Sequence, residues 1–237
     1  MRFRNAAAVV IGFAIAMAYL ESAVVVYLQR ALAITPDQLF PLRGADVVGS
    51  LAGIEVGREF ATLVMLVAIG CLAGRSWIDR LAWTAVAFGV WDILYYVWLW
   101  VFIGWPSSPL NWDILFLIPV PWAGPVWAPV IVSSALIAFG LVAAYRTAMG
   151  RAPSVSRREV SIALIGGLLV VLSFTVQAPG LMKGDLPSGY PWPIFAAGMA
   201  AASWAAFASV RRGAVSPPPN DHPERLSQAN TRALADS

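Results

Sequence analysis

Apolar positions gather along the chain into six long runs, and the polar residues fall mostly in the short connections between them. The runs cover residues 6–28, 47–72, 81–103, 126–144, 160–178 and 190–210. A helix of about 20 apolar residues crosses the hydrocarbon core of a bilayer, so each run predicts one transmembrane helix. The fold class expected is all-α: a polytopic membrane bundle over residues 1–212. Residues 213–237 change composition sharply, beginning with Ser216, Pro217, Pro218 and Pro219, and are expected to form a disordered cytoplasmic tail.

The connections are unequal in charge. Ten arginines (2, 4, 75, 80, 146, 151, 157, 158, 211 and 212) flank the start of run one and the ends of runs two, four and six, whereas the alternate connections hold three basic residues, Arg30, Arg43 and Lys183. Cytoplasmic loops carry the excess of Lys and Arg. Both termini are therefore expected in the cytoplasm, with the chain in the cell (inner) membrane. The basic start, the apolar stretch 6–15 and Ala16-Met17-Ala18 also have the form of a signal peptide with its cleavage site. Because the apolar run continues through Leu28, an uncleaved first helix is the preferred reading.

The connection 104–125 breaks the pattern. It contains the apolar stretch 114–120, and prolines stand at 119, 121, 125 and 129. Proline removes backbone donors, and irregular backbone is not tolerated against lipid. The segment is expected to lie at the outer interface or to re-enter a protein-lined cavity. The tetrapeptide Trp-Asp-Ile-Leu recurs at 91–94 and 112–115, without further matching residues around it.

Composition supports the membrane class: 59% of residues are hydrophobic and 12% charged, against about 25% charged in soluble domains. The net charge of +3 is explained by the arginines between runs, and no nucleic-acid partner is expected. The sole histidine, His222, lies in the tail, which excludes haem ligation by paired histidines, histidine-rich metal sites and a Ser-His-Asp hydrolase within the membrane. No metal or cofactor is implied. The single cysteine, Cys71, allows no intrachain disulfide and is expected to be a small buried hydrophobe.

The chemistry lies in charges inside the runs. Glu21 is in run one, Glu55, Arg58 and Glu59 in run two, and Asp92 near the centre of run three. Residues three and four apart share a helix face, so Glu55, Arg58, Glu59 and Thr62 form one polar stripe. Gly49, Gly53 and Gly57 occupy the opposite face in a small-xxx-small pattern that invites close helix approach. Run two is accordingly expected at the centre of the bundle. In run three Phe88, Asp92, Tyr95 and Tyr96 share a face, with the phenols one turn outward of the carboxyl. Gly198, Ala202 and Ala206 give run six a close-packing face, and Ser173, Thr175 and Gln177 offer hydrogen bonds at the end of run five.

A charge at the centre of a membrane helix costs about 2.5–3.5 kcal/mol on insertion scales. Four such acids face one arginine, so some must be protonated, solvated, cation-bound or otherwise paired. The expected binding set is Glu21, Glu55, Arg58, Glu59, Asp92, Tyr95 and Tyr96, with Glu59 and Asp92 as its working centre. Trp112, Asp113 and Trp122 are candidate outer gate residues, although a solvated or capping role for Asp113 and an aromatic belt for the tryptophans are the preferred readings. Three functions stay open. One is translocation or binding of protons, a small cation or a small polar solute. A second is a noncatalytic subunit that meets a partner membrane protein or a second copy. The third is an intramembrane enzyme on a lipid- or isoprenoid-like substrate, using carboxylate acid–base chemistry.

Overall fold

The computed structural model describes residues 2–35, 40 and 45–213, the side chains of 45–52 aside; the tail beyond Gly213 lies outside them. Six long helices account for most of the chain: α1 (Phe3–Ala31), α2 (Ala45–Ala73), α3 (Trp77–Ile103), α4 (Trp127–Ala148), α5 (Arg157–Thr175) and, after the single turn α6 (Ala178–Leu181), α7 (Trp192–Arg212). All six are long and apolar enough to cross a membrane. They extend past several of the apolar runs because their caps lie in the polar flanks. Ser76 accepts the backbone N–H of Asp79 to open α3, and Ser156 and Glu159 close a reciprocal capping box on α5. The motif Ala16-Met17-Ala18 falls inside continuous helix, with Met17 and Ala18 buried.

The core is built on α3. Along α1 the buried residues Ala6, Val10, Ala14, Met17 and Ala18 recur at three- and four-residue intervals, placing one stripe against Ala82, Trp83, Val86, Ala87 and Trp91 of α3. On the other side α4 runs antiparallel to α3 and nearly touches it at Gly89, where an added Cβ would stand 2.6 Å from the carbonyl oxygen of Ser133. The second tight pair is α5 with α7: a Cβ on Gly166 would stand 2.6 Å from the backbone nitrogen of Ala202, so Gly198 and Ala202 do form the contact face read from run six. This pair joins the rest through α7 against α4 and through α5 against the connection that follows α3.

That connection corrects the all-α expectation. Strands β1 (Trp112–Phe116) and β2 (Trp122–Pro125) pair antiparallel, Trp112 opposite Pro125 and Phe116 opposite Trp122, with a register shift between Ile114 and Phe116. Pairing the two strands satisfies much of their backbone internally, which is the condition for placing non-helical chain among membrane helices. Pro119 and Pro121 fall in the turn, Pro125 ends β2 and Pro129 sits in the first turn of α4, so none interrupts a helix interior. The hairpin enters the bundle rather than lying across it. Asp113 at its base meets Tyr96, whereas Phe116 packs on Trp91 and Phe88, one to two turns back toward the start of α3, and Leu117 reaches Glu59 at the middle of α2.

The expected place of run two is also corrected. Helix α2 packs on α3 and only lightly on α1, and Ile54, Phe60 and Leu72 are exposed along it. A Cβ on Gly53 or Gly57 would meet nothing within 4 Å. Among the described residues no helix packs on Gly53 or Gly57, because α2 turns its polar stripe, not its small residues, toward its neighbours. Cys71 shares this edge and is exposed, not buried.

Candidate functional site

Two polar groups lie on either side of α3. The first is an ion-pair cluster between α1 and α2. Arg58 bridges Glu21 of α1 and Glu55 one turn before it, its Nε donating to Glu55 Oε2 at 3.0 Å. The hydroxyl of Thr62 donates to the other oxygen of Glu21 at 3.2 Å. A guanidinium has five donors in a rigid fork, and here the fork serves two carboxylates at once. Glu59, on the same helix face, accepts the backbone N–H of Leu117 on both oxygens, at 2.9 and 3.1 Å. It therefore ties the tip of the hairpin to α2. The stripe read from run two thus turns inward, to α1 and the hairpin.

The second group joins α3, α4 and the base of the hairpin, and its carboxyls are held by hydroxyls. Ser133 of α4 donates to Asp92 Oδ2 at 2.8 Å. Tyr96 donates to Asp113 Oδ2 at 3.1 Å, and Asp113 Oδ1 accepts the N–H of Ile114 at 2.9 Å. Asp113 is only 4% exposed, which corrects its reading as a solvated or capping residue. Burial pushes its carboxyl up to about 7, a rise that the two hydrogen bonds oppose and the nearby Asp92 increases. Tyr95 stacks edgewise on Tyr96, their ring centroids 5.1 Å apart. No hydrogen bond or ion pair joins Asp92 to Glu59 among the described residues, so the pair expected as one working centre belongs to two separate groups. The step from Phe116 to Leu117 stands between them, its ring on the α3 side and its N–H on Glu59.

Beside Asp92 is a chamber of about 380 Å³. Helices α3 and α4 form one wall and α5 the other, the hairpin adds Leu115, Phe116 and Trp122, and the space is partly open to the outside of the bundle. The lining is apolar apart from Asp92, Ser133 and Thr84. Trp122, expected at an outer gate, belongs to this wall: its indole N–H donates to the carbonyl of Ile118 at 2.8 Å and its ring stacks on Phe174 of α5. Trp112 stays at the hairpin base, edge-on to Tyr190. Tyr190 in turn shares a hydrogen bond with Ser173, and Gln177 accepts from Ser188, so two of the three polar residues at the end of run five anchor the approach to α7. Thr175 donates to the carbonyl of Val171 within its own helix.

Sequence reasoning missed Ser133 and the chamber itself. Ser133 and Ser134 are the polar pair of an otherwise apolar run, a signal that could have been followed; the chamber depends on a hairpin that the sequence did not reveal. Among the described residues no group of three or more His, Cys, Asp or Glu is placed to hold a metal ion. No family model matches the chain, and no curated protein or solved structure is significantly similar to it.

Proposed function

We propose that this integral membrane protein holds a small, mainly apolar molecule in the chamber between α3, α4, α5 and the hairpin, with both termini on the cytoplasmic side of the cell membrane. The observation that carries the reading is the chamber. Small-molecule sites are typically about 300–1,000 Å³, mostly apolar, with a few placed polar groups, and a volume of about 380 Å³ with Asp92 and Ser133 on its wall matches that description. Of the three functions open from the sequence, a lipid- or isoprenoid-like ligand is the one this lining favours. The ion-pair cluster supports it from behind, by anchoring the hairpin tip through Glu59 and Leu117.

A second reading, translocation of protons or a small cation, is supported by one observation: away from the helix ends, the described residues place five acids (Glu21, Glu55, Glu59, Asp92 and Asp113) with one arginine, Arg58, in the helices and hairpin. That excess suits a group that exchanges protons.

The chamber is tested by filling it. Val132→Trp places an indole in the space, and organic extracts of the purified protein are compared by mass spectrometry. Wild type should retain a small molecule that the filled variant lacks; identical extracts overturn the reading. Orientation is tested with single cysteines at positions 107 and 155 in a Cys71→Ser background. Position 107 should label from outside intact cells and 155 should not; the reverse inverts the topology.

A further inference from the structure

The chamber wall is rich in acceptor and poor in donor. Asp92 offers a carboxyl, and Ser133 has committed its hydrogen to it. Thr84 turns its hydroxyl toward Gly70 of α2, where an added Cβ would collide with Oγ1. No Lys, Arg or His stands among the lining residues, and Arg58, the arginine nearest the middle of a helix among the described residues, is engaged by Glu21 and Glu55. Asp92 Oδ1 accepts no hydrogen bond among the described residues, which leaves it as the place where a ligand group can bind. From these contacts, and resting on the chamber being a binding site, we infer that its occupant carries a hydrogen-bond-donating head, an alcohol or an amine, on an apolar body.

The same wall rejects the opposite chemistry. A phosphate or carboxylate head would bring a second negative charge beside Asp92 in a low-dielectric space, with no cation to compensate it. A buried acceptor left without a donor also carries a desolvation cost, which an alcohol or ammonium removes and an ester or alkane does not. The volume limits the body. At about 30 Å³ per water-sized group, the chamber takes roughly a dozen heavy atoms, so a ten-carbon chain with one polar head fills it.

Four ten-carbon probes test this: tritiated decan-1-ol, decylamine, decanoate and decyl phosphate. Each is titrated at neutral pH into the protein in lipid nanodiscs, with empty nanodiscs measuring partition into lipid. Decan-1-ol and decylamine should bind saturably and at least about tenfold more tightly than the two acids, and Asp92→Leu should erase that preference. If all four bind alike, the chamber is apolar space without head-group selection and the inference is overturned; tighter binding of decanoate or decyl phosphate overturns it outright. If no probe saturates above the empty-nanodisc background, the chamber reading itself fails.

Discussion

The two polar groups flanking α3 use the same residue types to opposite ends. In the α1–α2 cluster, Glu21 and Glu55 are held by one guanidinium, an ion pair fixed at both ends to helix backbone. In the α3–α4–hairpin group, Asp92 is held by the hydroxyl of Ser133, and Asp113 by the hydroxyl of Tyr96 and the N–H of Ile114. A carboxylate already matched with a rigid cation has little left to offer a ligand. Asp92, held by one neutral hydroxyl, keeps its second oxygen for another donor. Acidic residues in a membrane sequence are therefore not one class, and the donor each one meets decides what it does.

The largest expected effect breaks the first region. Removing one partner from a buried ion pair typically costs about 3–5 kcal/mol, because a charge is left uncompensated. Arg58→Ala strands two acids, whereas Glu55→Ala leaves Arg58 still paired with Glu21. In thermal unfolding of the detergent-solubilised protein, Arg58→Ala should lose about 3 kcal/mol or fail to yield monodisperse protein, and Glu55→Ala should lose about 1 kcal/mol. Equal losses would mean that Arg58 is solvated and the contrast between the two regions is wrong.

The sequence revealed the first region far better than the second. Glu55, Arg58, Glu59 and Thr62 sit within two turns of one helix, so 3.6-residue periodicity alone puts them on one face, and Glu21 is the one acid inside the preceding run. The helices were legible for the same reason: composition and charge asymmetry are properties of contiguous chain. The second region depends on contacts that no local period reports. Asp113 looked solvated because its neighbours 104–112 read as an outer connection, yet a hairpin register carries it onto Tyr96. Ser133 meets Asp92 because Gly89 lets α4 approach α3, a contact distant in sequence. The glycines of α2 show the converse. A small-xxx-small pattern of the form that α7 uses against α5 is left open at Gly53 and Gly57, since a small-residue face permits approach and does not require it.

The next test sharpens the difference through pH. Burial raises the Asp113 carboxyl from 3.8 to about 7. Between these values the unfolded chain has released the proton that the folded chain keeps, so the folded state binds more protons and stability from this group falls as pH rises from about 4 to about 7. Above about 7 both states are ionised and the penalty is constant. Asp113→Asn has no proton to lose and still accepts from Tyr96. Wild type should thus lose stability relative to the variant across that window, by an amount on the order of 3 kcal/mol, with the two curves parallel at higher pH. Parallel curves throughout would show that Asp113 is not held neutral.

The smallest effect separates Asp92 from Asp113. Ser133 is 1% exposed and supplies the hydrogen bond that Asp92 receives; Tyr96 does the same for Asp113. Ser133→Ala and Tyr96→Phe each remove one donor and leave a buried acceptor, for a loss of about 1–2 kcal/mol. Only Asp92 faces the chamber, because neither Tyr96 nor Asp113 lines it. A hydroxyl brought in by a ligand can replace the lost serine hydrogen bond, and it has no route to replace the tyrosine's. Decan-1-ol should therefore restore most of the thermal stability lost by Ser133→Ala and none of that lost by Tyr96→Phe. Equal rescue of both variants would trace the effect to the surrounding lipid instead, and with it would go the distinction between a carboxyl that serves a ligand and one that secures the hairpin.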